Sequence, residues 1–306
     1  MNFLSMKYFT TIAQEKSFTK AASKLHITQQ TLSAHISAIE KEIGSQLILR
    51  HVPLELTYAG QIFLKYASYI QGKYENMHHE FKDMHQDNKG KIRVGITHTR
   101  GRVVMPKLIT IFQKKYPKIE IEIIENSNDL LCQSLLNNEV DLIIGNFDKL
   151  MPEILLEDFY GEEIVLAIAK KLLNALYKKD KKNVIKKLEK NDISILEKCP
   201  FLLNTYQDLS GRIGHGILSQ GNFIPNIVTT SSNIETLLNL CVYGMGACFC
   251  PENLIKKVLN QEQLSSLNVF KLGKEARYRI QLGYLKKPYQ WKILTNFIDI
   301  AKKNYS

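Results

Sequence analysis

The sequence predicts an α/β protein in three stretches: a small helical head, one long helix, and a larger domain of alternating strands and helices. Three observations point there. Residues 17 to 60 carry two short helix patterns across a tight turn, then two short apolar stretches. From Thr57 to about Asp87 the chain has no proline and only Gly60 and Gly72, so it reads as one long helix. After Gln86-Asp87-Asn88-Lys89-Gly90 the apolar pattern switches from helical spacing to alternation.

The head opens on an amphipathic helix with Leu4, Tyr8, Phe9, Ile12 and Ala13 on one side. That is neither a secretory leader nor a membrane span, so a cytoplasmic protein with no membrane partner is expected. Ala21 and Ala22 supply the small face that two helices need to meet across a turn, and Leu25 and Ile27 flank that turn. Thr28 is placed to cap the next helix. Leu32, Ile36, Ile39 and Ile43 follow at steps of four, three and four, on one buried face, until Gly44 stops the helix.

The opposite face presents Gln29, Gln30, Ser33 and Ser37, short polar groups able to reach base edges; a glutamine can pair with adenine at two places. A wing is expected from Leu47-Ile48-Leu49-Arg50 to Leu54-Glu55-Leu56-Thr57. An amphipathic helix pair in any globular protein would share the periodicity. The order of small-residue helix, capped polar helix start and wing is what favours a winged helix-turn-helix on duplex DNA.

In order and spacing these elements resemble the LysR-type transcriptional regulators. That signature reads Ser-Phe-Thr-x-Ala-Ala-x-x-Leu, Ser-Gln-Pro-x-x-Ser, Leu-Phe-x-Arg and Leu-Thr-x-Ala-Gly; here it stands as Ser17 to Leu25, Thr28 to Ser33, Leu47 to Arg50 and Leu56 to Gly60. The resemblance covers residues 2 to 60 closely. Gln30 replaces the usual Pro or Ser, Ile48 the usual Phe, and Ala34-His35 a polar pair. The resemblance implies that Gln29, Gln30, Ser33 and Ala34 face the major groove, with Arg50 on phosphate, and Thr28, Thr31 and Ser37 of the same helix belong to the expected DNA-binding residues. Lys20 and Lys24 complete the expected DNA-facing set, because binding follows where charge sits.

Net charge is weaker support. The chain carries +11, but residues 1 to 89 hold 10 Lys+Arg against 8 Asp+Glu. The excess lies in Lys170 to Lys190, where nine lysines face Asp180 and Glu189. With Leu172, Leu173, Leu176, Val184, Ile185 and Leu188 on its apolar side, that run reads as an inserted helix with a solvated face.

Along the long helix Ile70, Tyr74, Met77, Phe81 and Met84 step by four, three, four and three. Such a stripe needs a partner, either a second helix or the chain's own larger domain. The resemblance implies antiparallel pairing between subunits, giving a dimer or tetramer on an inverted-repeat operator. His78, His79 and His85 lack the spacing of metal ligands.

From residue 90 the strands around Ile92, Ile119 and Leu142 alternate with helices near Val103 to Tyr116 and Leu130 to Asn138, a βαβαβ pattern with a parallel sheet. The grammar restarts at Pro200 to Leu203, runs through a helix near Asn233 to Tyr243 and reaches Ala247 to Cys250. A strand at Tyr278 to Tyr284 and a last helix carrying Trp291 and Phe297 return to the first half. The expected domains are 1–58, a linker 59–89, and 90–306, the last divided into 90–162 with 267–306 and 163–266. The resemblance makes this an effector-binding domain like a type 2 periplasmic binding protein.

Ligands of open α/β sheets sit at the carboxyl ends of strands, beside helix N-termini. Thr97, His98, Thr99 and Arg100 lie there, and the resemblance adds Asn146, Phe147, Asn204, Thr205 and Tyr206. A small organic acid is the expected effector.

Five cysteines without a Cys-x-x-Cys pair predict buried thiols; the resemblance, to a family in which some members sense oxidants through a cysteine, makes Cys199, before Pro200, a candidate sensor. The sequence holds no Gly-x-Ser-x-Gly, phosphate loop or His-Glu-x-x-His. No catalytic residue, metal or cofactor is expected. The reading is a ligand-gated transcription factor, with RNA polymerase as a further partner; the alternative is a solute-binding protein or enzyme whose N-terminal helices serve assembly.

Overall fold

The computed structural model describes residues 2–51, 53–84, 89–147, 151–178 and 180–305. His85 and the hinge residues 86–88 lie outside the described residues, as do Lys179 and the side chains of His79 and Met84.

The head is α1 (Phe3–Glu15), α2 (Phe18–Lys24), α3 (Gln29–Ile43) and a hairpin of β1 (Ile48–Leu49) and β2 (Glu55–Leu56). Phe9, Ile12, Leu32, Ile36, Leu47 and Ile48 are fully buried between them, each contributing roughly 1.5–3 kcal/mol. Ala21 and Ala22 are buried where α2 meets this core. Thr28 caps α3 by accepting the Thr31 N–H at 3.1 Å, and Gly44 ends it at φ 72°. Gly60 opens the next helix, where a Cβ would lie 2.0 Å from the Leu47 carbonyl. The wing therefore seats directly on that helix.

Two expectations on apolar faces are corrected. Ile43 is 41% exposed and Leu4 45% exposed. Ile43 lines a surface groove of about 320 Å³ with Met6, Ile62, Phe63, Tyr66 and Ile70 rather than the head's core.

The long helix α4 (Tyr58–Met84) leads to the larger domain. There β3 (Gly90–Ile96), α5 (His98–Lys115), β4 (Ile119–Glu125), α6 (Asn128–Leu136) and β5 (Leu142–Gly145) form the parallel βαβαβ unit. Strand β6 (Ile154–Ala169) leaves it for the second half, made of α7 (Lys170–Tyr177), α8 (Lys181–Leu188), β7 (Pro200–Asn204), α9 (Leu209–Ser219), β8 (Asn226–Ser231), α10 (Ile234–Val242), β9 (Ala247–Pro251), α11 (Glu252–Val258), α12 (Gln261–Ser265) and β10 (Leu267–Lys271). The chain returns through β11 (Arg277–Leu285) and α13 (Lys292–Tyr305). The strand order is β4-β3-β5-β11-β6-β9-β7-β8, with β10 on β6.

The halves join through one strand. Ile154 to Glu163 of β6 pairs with β11, and Ile164 to Ala169 pairs with β9 and β10. Leu267 to Lys271, assigned from sequence to the first half, pairs with Ala169 to Val165 instead, because Leu267 and Phe270 bury in the second half's core. The return crossing falls at 272–276. The lysine run is two helices rather than one, broken near Asp180, whose N–H donates to the Tyr177 carbonyl while its own carbonyl accepts the Val184 N–H. Leu173, Val184 and Leu188 turn inward, and the described lysines of the run are exposed or half-buried.

Candidate nucleic-acid interface and ligand cleft

On α3 the buried face of Leu32, Ile36 and Ile39 fixes the opposite face outward, where Thr28, Gln29, Gln30, Thr31, Ala34 and Ser37 are exposed and Ser33 is half-buried. Thr19 Oγ1 donates to Gln29 Oε1 at 3.1 Å, tying α2 to the first turn of α3. Lys20 is exposed, and Lys24 pairs with Glu15 at 2.6 Å.

Arg50 folds back along α3. Its Nη1 donates to Ser33 Oγ at 3.4 Å, and its Nη2 to Ser37 Oγ at 2.9 Å and Glu40 Oε2 at 3.2 Å. The guanidinium also lies 5.8 Å from the Phe18 ring centre. Two hydroxyls expected to read bases thus hold the wing arginine.

Glu40, which the sequence reading passed over, anchors the wing. Its Oε1 accepts the backbone N–H groups of Leu47 and Ile48 at 2.8 and 3.2 Å while Oε2 meets Arg50. A signal was present: a carboxylate in the last turn of a helix opposes the helix dipole and needs a partner.

In the larger domain a cleft of about 350 Å³ lies between the halves. Thr97, Thr99, Asn146, Phe147 and Asn204 line it. So do Ser127, Asn128, Asp129, Cys132, Met151, Gln207, Asp208, Leu209, Ser210, Arg212, Ser232, Ile234 and Pro251, none of which the sequence reading singled out. The starts of α5, α6, α9 and α10 converge there, and at the first three no side chain of the capping residue takes up the exposed N–H groups.

Four expected cleft residues lie elsewhere. His98 is exposed and pairs with Glu125 at 2.7 Å, which raises its pKa chiefly through that hydrogen bond. Arg100 is buried behind the cleft against Glu162 at 3.3 Å, because the third residue of α5 turns inward. Thr205 donates to Asp208 Oδ2 at 2.9 Å in the turn before α9, and Tyr206 is 67% exposed with its ring against His215.

Cys199 is fully buried, donates to the Pro200 carbonyl at 3.4 Å, and burial pushes its thiol up to about 12. Such a thiol carries almost no thiolate at neutral pH, which corrects its reading as an oxidant sensor. Cys241, Cys248 and Cys250 share one core cluster. Among the described residues no group of three or more His, Cys, Asp or Glu is placed to hold a metal, and no helix is long and apolar enough to cross a membrane.

A reading helix with a clamped wing, joined by a long helix to a two-halved domain with a polar cleft, defines a DNA-binding regulator with a ligand-binding domain. The comparisons specify the family. Residues 3–61 match the bacterial regulatory helix-turn-helix protein of the LysR family, and residues 85–306 match the LysR substrate binding domain. The chain belongs to the LysR family of transcriptional regulators, and it is a regulator rather than an enzyme. It is 28% identical over 271 residues to a probable RuBisCO transcriptional regulator of Trieres chinensis, covering 86% of this chain and 85% of that one. Its fold is similar to full-length OxyR of Pseudomonas aeruginosa, with TM-score 0.72 and 19% identity over 99% of this chain and 94% of the other. It is similar also to full-length CbnR in complex with its target DNA, with TM-score 0.62 and 19% identity over 99% of each chain.

Proposed function

We propose that this regulator binds an inverted-repeat operator as a dimer or tetramer and that a small organic anion in the cleft gates its hold on DNA. The observation that carries the assembly is the half-exposed apolar stripe of α4, of which the chain's own head covers part of Tyr74 through Phe3. Ile70, Tyr74, Met77 and Phe81 are 40–53% exposed. The chain's own larger domain meets α4 through polar groups instead: Arg93 with Glu75 at 2.9 Å, and Lys287 with Asn76 at 2.8 Å. A second copy of α4 covers the stripe and sets two reading heads on two half-sites.

On each head Gln29 and Gln30 read bases, supported by Thr28, Thr31, Ser33, Ala34 and Ser37. Lys20, Lys24 and Arg50 hold phosphates. The functional partition follows as 1–58, 59–89 and 90–306, in a cytoplasmic protein that also meets RNA polymerase.

The anion is favoured because uncapped N–H groups of α5, α6 and α9 point their partial positive charge at one space. Ligand closes the halves, the dimer repacks, and the reading heads shift. Fluorescence anisotropy on the upstream region of the chain's own gene tests both parts. Binding specific to a palindrome, lost in Gln29→Ala with Gln30→Ala, supports the DNA reading. An acid that changes operator affinity must have its own affinity changed by the same factor when operator is added. Equal ligand affinity with and without operator would refute gating.

A further inference from the structure

We infer that the ligand of the cleft is a zwitterion, a single α-amino acid whose ammonium sits on the first half and whose carboxylate sits on the second. This rests on the anion-in-cleft reading and narrows it.

The side chains of the two walls differ in hydrogen-bonding sense, while the uncapped starts of α5 and α6 also bring N–H groups to the first. On the first half, Asn146 Nδ2 donates to the Arg279 carbonyl at 3.0 Å, which fixes the amide and leaves Oδ1 as an acceptor, buried and without a partner. Asn128 Oδ1 is also buried and unpartnered, 2.5 Å from where a Cβ on Gly145 would stand, with the Phe147 ring edge 2.7 Å from the same point. Asp129 follows on the first turn of α6, exposed, with no cation paired to it among the described residues. Three acceptors, one of them charged, therefore gather on one wall.

The second half offers donors. Asn204, at the end of β7, is only 6% exposed; its Oδ1 accepts the Thr205 N–H at 2.9 Å, so its NH2 end, without a partner among the described residues, is left to the cleft. Beside it α9 begins without a side-chain cap, because the Asp208 carboxylate is turned to the Thr205 hydroxyl. Arg212, whose Nη1 donates to the Gln207 carbonyl at 3.1 Å, adds positive charge on the same helix. The hydroxyls of Thr97 and Thr99 donate or accept and do not discriminate.

A buried acceptor is costly until a donor reaches it, so the first wall selects a ligand that brings N–H groups. A plain carboxylic acid satisfies the donor wall and leaves the acceptors facing hydrocarbon. A plain amine does the reverse. A molecule with both charges serves the side chains of both walls. The volume is at the small end of the range for ligand pockets, about 300 to 1,000 Å³, which suits one amino acid.

The test uses the full-length protein. The twenty common L-amino acids are screened singly by thermal shift, together with a panel of short mono- and dicarboxylic acids, and each hit is titrated by calorimetry. The hit is then compared with the acid lacking its amine and the amine lacking its carboxylate, and with Asp129→Asn protein, whose circular dichroism and cooperative thermal unfolding, matching the parent, show that it is folded. The expected result is that one amino acid binds, that both truncated probes bind at least tenfold more weakly, and that Asp129→Asn weakens the amino acid at least tenfold. If the deaminated acid binds as tightly as its parent, the zwitterion is wrong and the anion stands. If neither panel gives a hit, or the amine alone binds as well as its parent, both readings fall. Full affinity of the amino acid for Asp129→Asn removes the ammonium subsite.

Discussion

Arg100 Nη2 and Glu162 Oε2 meet at 3.3 Å, both side chains less than a tenth exposed, just before β6 passes from one half of the domain to the other. The same carboxylate accepts the Tyr160 hydroxyl at 3.0 Å and the Tyr278 hydroxyl at 2.6 Å, while Arg100 Nη1 donates to Thr97 Oγ1 at 3.1 Å on the cleft wall. Burial and the neighbouring Glu162 charge raise the pKa values of both tyrosines, so they remain donors. One ion pair thus ties the ligand wall, the first half's core and the crossing strand together.

Removing one partner of a buried pair leaves the other uncompensated, at a cost of roughly 3–5 kcal/mol. Glu162→Ala is expected to lower stability by about that amount in urea unfolding. A loss below about 1 kcal/mol would mean that water reaches the pair and that it does not organise the crossing.

The wing gives a second prediction. Glu40→Ala strips the acceptor from the Leu47 and Ile48 N–H groups and releases Arg50, so both stability and operator affinity should fall, each N–H costing about 1–3 kcal/mol where water cannot replace the carboxylate. Arg50→Ala keeps those backbone bonds. It should weaken every DNA sequence alike and reduce the slope of log affinity against log salt by about one per subunit. An unchanged slope in anisotropy titrations would show that Arg50 stays on Ser37 and Glu40 when DNA binds.

The reading head was legible because its signals are local. Cap, periodicity and stop fall within Thr28 to Gly44, and each is set by residues three or four apart. The first βαβαβ unit was legible for the same reason. Of the second half's share of the cleft, Asn204 was found through the resemblance, but α9 was not, because Gly211, Gly214 and Gly216 weaken its helical pattern. Tertiary approach overrides propensity there: a Cβ on Gly211 would meet the Thr205 carbonyl at 2.0 Å, and one on Gly214 the Phe249 ring at 2.9 Å. Arg100 was placed in the cleft since a charge near a strand end suggests a ligand. Its true partner, Glu162, is 62 residues away and invisible to spacing.

Assembly through α4 is tested on its half-exposed stripe. Met77→Glu with Phe81→Glu puts two charges on a face that is 43% and 53% exposed in the monomer, so the folded monomer tolerates them, whereas a helix pair would have to bury them. Light scattering at micromolar concentration should report monomers for this variant and dimers or tetramers for the parent. A variant that keeps the parent's mass would place the interface elsewhere.

His98 provides the pH-dependent prediction. It opens α5, where the helix dipole disfavours a cation, yet its hydrogen bond to Glu125 at 2.7 Å raises its pKa, with Glu235 adding to the rise and Arg102 opposing it. A raised histidine contributes stability that is fully present below its unfolded value, about 6.5, and is lost as pH rises through the higher folded value. The ring is well exposed, so the stability effect is small and the titration itself is the readout. Proton NMR should place the His98 midpoint above about 6.5 in the parent, and Glu125→Gln should lower it, since burial, the dipole and Arg102 are then opposed by Glu235 alone. A midpoint unmoved by Glu125→Gln would show that the pair is open in solution and that α5 presents an unpaired histidine at its first turn.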